Sequence, residues 1–425
     1  MQPIRIHINR LGLVSNSDIT ITPLMVFSGE SGLGKSYVAI LCHYFFYVWL
    51  NPKRLDSFFK EFQQNRGINF FDPNSKMPDN GEALSITKVE IEEWLAKDAV
   101  SYLRYMLGNE GLVADIQVKM PDSIPESITF TFEQELVGIN NAEEIYYKLN
   151  VLKLTYRFRG LGIQDESPYA YLFRFAVIGV LLDDFRNLDF DFVLPPSRGS
   201  YLSEDIHPIS GLYKSFVDGM KSLEQAQELP NVVNNKDVDL LKKVLEGDVK
   251  KTGDNYVYVT NSETMPISAA ASSVREIGPL QMLITKRNVA RVSVLFEEPE
   301  AHLHPLKQRK MADLIVAMAM SGAKIQITTH SDYFLRRIND LLRLNLLKTK
   351  KTEEEFQDIC KKNNFDCELT LDPSILSAYY LEKDNEGNVS VQKQETSSGI
   401  PFDTFKYING KPLTDSSIIY DLAID

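Results

Sequence analysis

The sequence predicts an α/β fold: a mixed sheet flanked by helices, interrupted by a large and mostly helical insertion. Three observations predict it. The short apolar run Pro23-Leu24-Met25-Val26-Phe27-Ser28 reads as a buried strand and runs into the glycine-rich Gly29-Glu30-Ser31-Gly32-Leu33-Gly34-Lys35-Ser36. A second apolar run, Val292–Phe296, ends in the paired carboxylates Glu297 and Glu298. A third, Lys324-Ile325-Gln326-Ile327-Thr328, ends in Thr329-His330-Ser331. Strands this apolar belong at the centre of a parallel sheet covered on both faces.

The first run and its loop match the phosphate-binding pattern G-x-x-x-x-G-K-[ST] at every fixed position. Gly29, Gly32 and Gly34 allow backbone angles that turn successive N–H groups toward one anion. Lys35 is placed to reach the β and γ phosphates of a nucleoside triphosphate, and the Ser36 hydroxyl to ligate Mg²⁺. Residues 36–50 follow as a helix whose N-terminus faces the phosphates. That helix is apolar nearly all round, which predicts burial in a large core. It is too short for a membrane span, which takes about 20 residues.

Composition narrows the partners. With 425 residues, 44% of them hydrophobic, the chain can build a substantial core and is expected to hold two or three structural units. A net charge of −12 argues against a protein that coats nucleic acid non-specifically. The densest basic stretch, Arg336 to Lys351, reads as a solvated helix face. Cys42, Cys360 and Cys367 show no C-x-x-C spacing, so neither zinc nor a disulfide framework is indicated. The N-terminus lacks the apolar core of a signal peptide, and a cytoplasmic protein is expected.

Along the chain, Ile4–Ile8 and Asp18–Thr22 alternate as half-exposed strands ahead of the loop strand. Helical candidates lie in 51–110, strands in 112–160, and helices again in 165–188 and 203–250. More than half the chain separates Lys35 from Glu298, so the two halves of the site must meet across an insertion. The expected division is 1–50 for the first piece of the head, 51–255 for the insertion and 256–425 for the second piece with a C-terminal segment. No repeat and no sustained heptad pattern predicts coiled-coil arms.

Glu297 is expected to hold magnesium, and Glu298 to orient and deprotonate the attacking water. The two side chains of a flat strand would point to opposite faces, but the chain turns here and can swing the second carboxylate back over the phosphate. His330, at the end of the neighbouring strand, is placed to hydrogen-bond the γ-phosphate and sense its loss. Between these strands, Leu306, Met311, Leu314, Ile315 and Met318 share one helix face, and Gly322 fits the residue after the helix.

The segments Val294-Leu295-Phe296-Glu297-Glu298-Pro299-Glu300-Ala301-His302-Leu303-His304-Pro305 and Thr328-Thr329-His330-Ser331-Asp332-Tyr333-Phe334-Leu335 resemble the ABC-type ATPase heads of the OLD (overcoming lysogenisation defect) and RecF/SMC-like group. The resemblance covers about 1–50 and 257–340. It implies an ATP- and Mg²⁺-dependent ATPase that forms a homodimer, or a higher homo-oligomer, with ATP sandwiched between heads. Glu297 matches the magnesium-binding acid, Glu298 the catalytic base and His330 the switch histidine. The family's signature segment, which caps the phosphate bound by the other subunit, maps to Ile267–Glu276, with Ser272 and Ser273 as the contacting residues. Here Val274 stands where the family has glycine, and an ordinary Ser-capped helix is the competing reading.

OLD proteins often add a Toprim nuclease domain, and the stretch after His330 is too short for one; Glu382–Asn388 reads instead as a hairpin turn. The resemblance is therefore to a stand-alone head whose nucleotide state gates a separate effector, a nuclease or toxin, in bacterial anti-phage defence or a toxin–antitoxin-like system. The alternative is a RecF- or SMC-like repair ATPase that clamps DNA. Arg198, in Pro195-Pro196-Ser197-Arg198-Gly199, is open between a contact to nucleotide or partner and a salt bridge that supports its turn.

Overall fold

A computed structural model describes residues 3–66, 81, 83–139, 142–159, 175–176, 179, 187–204, 206–230, 234–397 and 399–401. Most of the helix expected over 165–188 and most of the turn-rich stretch from Phe70 lie outside the described residues, as does 402–425.

Strands β1 (Arg5–Leu11) and β2 (Val14–Thr20) form a hairpin leading into β3 (Leu24–Gly29), the loop strand. Then come β4 (Ala83–Thr87), β5 (Ala114–Lys119), β6 (Ser127–Ile139), β7 (Ala142–Val151), β8 (Leu154–Arg159) and β9 (Phe190–Leu194). The second half adds β10 (Asp248–Thr252), β11 (Asn255–Val259), β12 (Thr264–Pro266), β13 (Val292–Glu297), β14 (Lys324–Thr328), β15 (Leu376–Lys383) and β16 (Val389–Gln394). One nine-stranded sheet has the order β5-β1-β2-β16-β15-β3-β14-β13-β9. Its members β15, β3, β14, β13 and β9 run parallel, whereas β1 pairs antiparallel with β2 and β5. Strands β15 and β16 form the hairpin expected around Glu382–Asn388.

This arrangement differs from the expected division. The interval 51–255 is not one insertion beside the head, because β5 and β9 both lie within it and both are strands of the main sheet. At the sheet edges β5 pairs with β1, and β9 is the parallel neighbour that takes up the second set of β13 backbone hydrogen bonds. What stands apart from the main sheet in this interval includes the four-stranded sheet β4-β6-β7-β8.

Nine helices among the described residues cover the sheets: α1 (Lys35–Tyr47), α2 (Pro52–Arg66), α3 (Lys88–Leu107), α4 (Gly211–Gln225), α5 (Asn235–Leu245), α6 (Ser272–Lys286), α7 (Pro305–Ser321), α8 (Asp332–Lys350) and α9 (Glu353–Asn363). No helix among the described residues is long and apolar enough to cross a membrane. The pleat divides the core. Along β3, Met25 and Phe27 face the cluster containing α1, whereas Leu24 and Val26 face the cluster containing α6, α7 and α8. Residues two apart therefore serve the same face, and a continuous apolar strand is required.

Helix α1 is apolar all round because it lies between the sheet and α3. Its fully buried His43 bonds Gln326 Oε1 through Nδ1 at 2.9 Å and approaches Asp191 Oδ1 with Nε2 at 2.9 Å. Burial by itself pulls the imidazole pKa down; the adjacent Asp191 carboxylate and the hydrogen bonds override this and raise it. The helix is thereby pinned to β9 and β14 at once, and with it the position of Lys35 and Ser36 two turns upstream.

Candidate functional site

Three neighbouring parallel strands end together. Phe27 lies opposite Thr328, and Thr328 opposite Glu297, so the phosphate loop, the paired carboxylates and His330 emerge at one edge of the sheet. In open α/β sheets, ligands bind outside the carboxyl ends of the strands. A cleft of about 640 Å³ opens there, lined among others by Ser31, Gly32, Gly34, Lys35, Ser36, Glu298, Thr328 and His330.

The loop conformation demands its glycines. Gly29 has φ +134°, and a Cβ on it would sit 2.6 Å from the Leu381 carbonyl oxygen of β15. Gly34 occupies the left-handed region at φ 95° and stands at the N-terminus of α1, with no side-chain cap. The first turn of α1 is thus open to an anion. Leu33 anchors the loop in the core, while Glu30, Ser31 and Gly32 are exposed.

Lys35 is buried, its ammonium donating to the carbonyls of Gly29 at 3.1 Å and Glu30 at 2.7 Å. Burial pulls its pKa down to about 8, against the raising influence of Glu298, Glu297, Glu300 and Glu30. One cation amid four carboxylates leaves an excess of negative charge. Ser36 Oγ donates to Glu297 Oε2, while Glu297 Oε1 is buried with no partner. Burial raises the Glu297 pKa. A hydroxyl beside a carboxylate with one uncommitted oxygen fits Mg²⁺, which takes one or two protein ligands and completes its octahedron with water and phosphate oxygens.

Strand β13 ends at Glu297 because Glu298 leaves the extended region for φ 48°. A non-glycine residue there costs about 1–3 kcal/mol and persists only where its surroundings enforce it. Here the Glu298 N–H donates to the Thr328 carbonyl at 3.0 Å, and the Glu298 carbonyl accepts from the Ala301 N–H at 3.1 Å. The kink brings the Glu298 carboxylate to the cleft, where Oε1 lies 4.0 Å from His330 Nε2. Burial, then the neighbouring Lys35 ammonium, lowers the His330 pKa, with Glu298 opposing, so the ring is neutral at neutral pH. His330 is fixed from behind, since Ser331 caps α8 by accepting from the Phe334 N–H at 3.0 Å.

Two participants were not assigned roles by the sequence. Glu300 turns away from the cleft: its Oε1 accepts from Thr329 Oγ1 at 2.8 Å and from the His330 N–H at 2.7 Å. It holds the histidine's backbone. Arg198, 1% exposed, does not line the cleft and donates to the backbone carbonyls of Glu297 and Glu298. Ser272 and Ser273 begin α6; Ser272 is exposed, Ser273 half-buried, and neither lines this chain's own cleft. Val274 points the other way, into the core, so its side chain does not stand over the helix end.

Residues 200–335 match the AAA ATPase domain family. That span holds α6, β13, α7 and β14 and lies wholly downstream of the phosphate loop. The chain is similar in structure to an SMC head domain from Thermotoga maritima, at 10% identity over 93% of this chain and 100% of that one, with a TM-score of 0.33. It is also similar to an SMC head bound to the C-winged helix domain of ScpA, at 10% identity over 93% and 98%, with a TM-score of 0.35. No curated protein matches it. Sheet and phosphate loop have the arrangement of a P-loop nucleotide-binding fold, and the matched span is similar to an AAA ATPase domain.

A pH dependence follows from Lys35. In the free chain its pKa is about 8, and phosphate oxygens favour the charged form, so binding at pH 8.5 takes up a fraction of a proton. Nucleotide affinity is expected to fall as pH rises past about 8. Stability of the free chain moves oppositely: the folded pKa lies below the ordinary lysine value, so the cost of burying the ammonium is relieved between about 8 and 10.5. Calorimetry in two buffers of different ionisation enthalpy measures the proton; zero uptake at pH 8.5 would contradict the assignment.

Proposed function

We propose that the chain binds and hydrolyses ATP with Mg²⁺ at a site completed by a second copy. The single observation that carries the reading is the meeting of Ser36 with Glu297 at the floor of a cleft that Lys35, Glu298 and His330 also line. Phosphoryl transfer is mainly positioning and charge neutralisation, and each part is supplied here. The loop N–H groups and Lys35 hold the β and γ phosphates. Ser36 and Glu297 hold the metal, which neutralises charge on the phosphate oxygens. Glu298 accepts the proton of a water whose oxygen forms a bond to the γ phosphorus as the bond to the bridging oxygen breaks, leaving ADP and inorganic phosphate. His330 hydrogen-bonds the γ-phosphate and loses that contact on its release.

In this reading Ser272 and Ser273 serve the partner's ATP. Their place at an uncapped helix N-terminus, away from their own cleft and with Ser272 exposed, supports a role in trans. The paired state then exists only while ATP is bound, and a separate effector protein, a nuclease or toxin, reads it; the OLD-like motifs support a setting in bacterial anti-phage defence.

Mixing a Lys35→Ala chain with a Ser272→Ala/Ser273→Ala chain tests the shared site. Each alone is expected to hydrolyse poorly, and the mixture to recover part of the wild-type rate through one intact composite site per mixed pair. Absence of recovery in demonstrably mixed pairs would place the whole site in one chain. Salt-sensitive binding of duplex DNA by the ATP-bound pair would instead favour the clamp.

A further inference from the structure

Arg198 follows β9 in a tight turn whose residue Ser197 is left-handed at φ 57°. Its guanidinium reaches three separate pieces of backbone. Nη1 donates to the Pro195 carbonyl of its own turn at 3.1 Å and to the Glu297 carbonyl at 2.9 Å. Nη2 donates to the Glu298 carbonyl at 3.3 Å, and Nε to the Glu276 carbonyl of α6 at 3.0 Å. The Glu276 carboxylate lies 3.7 Å from Nε, and the guanidinium carbon sits 4.7 Å from the centre of the Phe296 ring. Burial lowers the arginine pKa to about 10, which still leaves it charged at neutral pH.

The turn is pressed against α6 itself. A Cβ on Gly199 would lie 2.9 Å from the backbone carbon of Arg275 and 2.9 Å from Glu276 Oε1. On its other side, the Tyr213 hydroxyl of α4 donates to the Pro196 carbonyl at 2.7 Å. The turn therefore has little room to move independently of α6.

We propose that Arg198 is a positioning residue that locks the backbone of Glu297 and Glu298 to the second turn of the helix beginning at Ser272, so that the end of α6 and the paired carboxylates move together. The proposal rests on the hydrolytic reading of Glu298. The carbonyl that Nη2 holds belongs to the residue in the left-handed conformation, so the contact helps enforce the kink that aims the Glu298 carboxylate. Phosphate from a second copy, drawing on Ser272 or Ser273, shifts α6; Arg198 transmits that shift to the base. Only a planar fork makes these bonds at once. A lysine keeps the charge but donates from a single point.

The test compares wild type, Arg198→Lys and Glu276→Gln for ATP affinity, single-turnover hydrolysis and amide hydrogen exchange. Arg198→Lys is expected to bind ATP within about twofold of wild type while hydrolysing it roughly tenfold to a hundredfold more slowly, as displacement of a catalytic group predicts. Glu276→Gln keeps the backbone acceptor and is expected to lose less rate, again without loss of affinity. Exchange in Arg198→Lys should rise together in 272–277 and 297–302. An unchanged rate would overturn the proposal, as would rate and affinity falling in parallel, which general disorder of the site produces. Faster exchange in only one of the two segments would overturn the coupling. Should wild type itself fail to hydrolyse ATP, the hydrolytic reading falls, while the exchange pattern still decides whether the two segments are linked. Should Arg198→Lys fail to fold, Glu276→Gln carries the same comparison.

Discussion

Lys35→Ala is expected to weaken ATP binding by about 10² to 10⁴-fold, because two charge-assisted hydrogen bonds are lost at about 1.5–3 kcal/mol each. Lys35 is the ammonium of the phosphate loop itself, and the surrounding carboxylates Glu297, Glu298, Glu300 and Glu30 leave the triphosphate poorly compensated once it is removed. The fold should survive. In the free chain the ammonium bonds only the carbonyls of Gly29 and Glu30, and its burial already opposes its charge. Titration of a fluorescent ATP analogue beside a thermal melt reads both quantities. Wild-type affinity in a folded variant would remove the loop from the nucleotide site.

Glu298→Gln is expected to keep ATP binding and slow hydrolysis by about 10²–10⁴-fold, the usual worth of a positioned general base. The amide still hydrogen-bonds water but takes no proton, so ATP-bound pairs should accumulate and elute as dimers. The kink at φ 48° depends on the backbone, which the substitution leaves unchanged. Gln at Glu300 should act differently, since that carboxylate accepts from Thr329 and the His330 N–H and faces away from the cleft. Equal turnover in Glu298→Gln and wild type, measured as phosphate release, would place the base elsewhere.

The sequence by itself marked the residues that meet at the cleft. Gly29–Ser36, Glu297-Glu298 and His330 were each legible because a phosphate loop and a strand that ends in carboxylates are contiguous patterns, set by backbone angles and side chains a few residues apart. The strands β3, β13 and β14 were legible for the same reason, since burial on both faces requires unbroken apolar runs. The hairpin of β15 and β16 was readable from its polar turn between apolar flanks.

What tertiary structure alone decided depends on partners distant in the chain. Whether 114–119 and 190–194 belong to an insertion or to the main sheet is a question of which edge they pair with, and neither pattern names its neighbour. Glu300 carries no role in its motif that sequence distinguishes, and the chain reversal after Glu298 turns it toward Thr329. Val274 stands where the resembled family has glycine, and only the rotation of α6 shows its side chain buried in the core. Arg198 was undecidable between nucleotide, partner and turn, because its acceptors are backbone carbonyls, which every residue carries and no sequence marks. Motifs record what a side chain can do. Only the packing of β9, α6 and β13 against one another fixes which atoms it reaches.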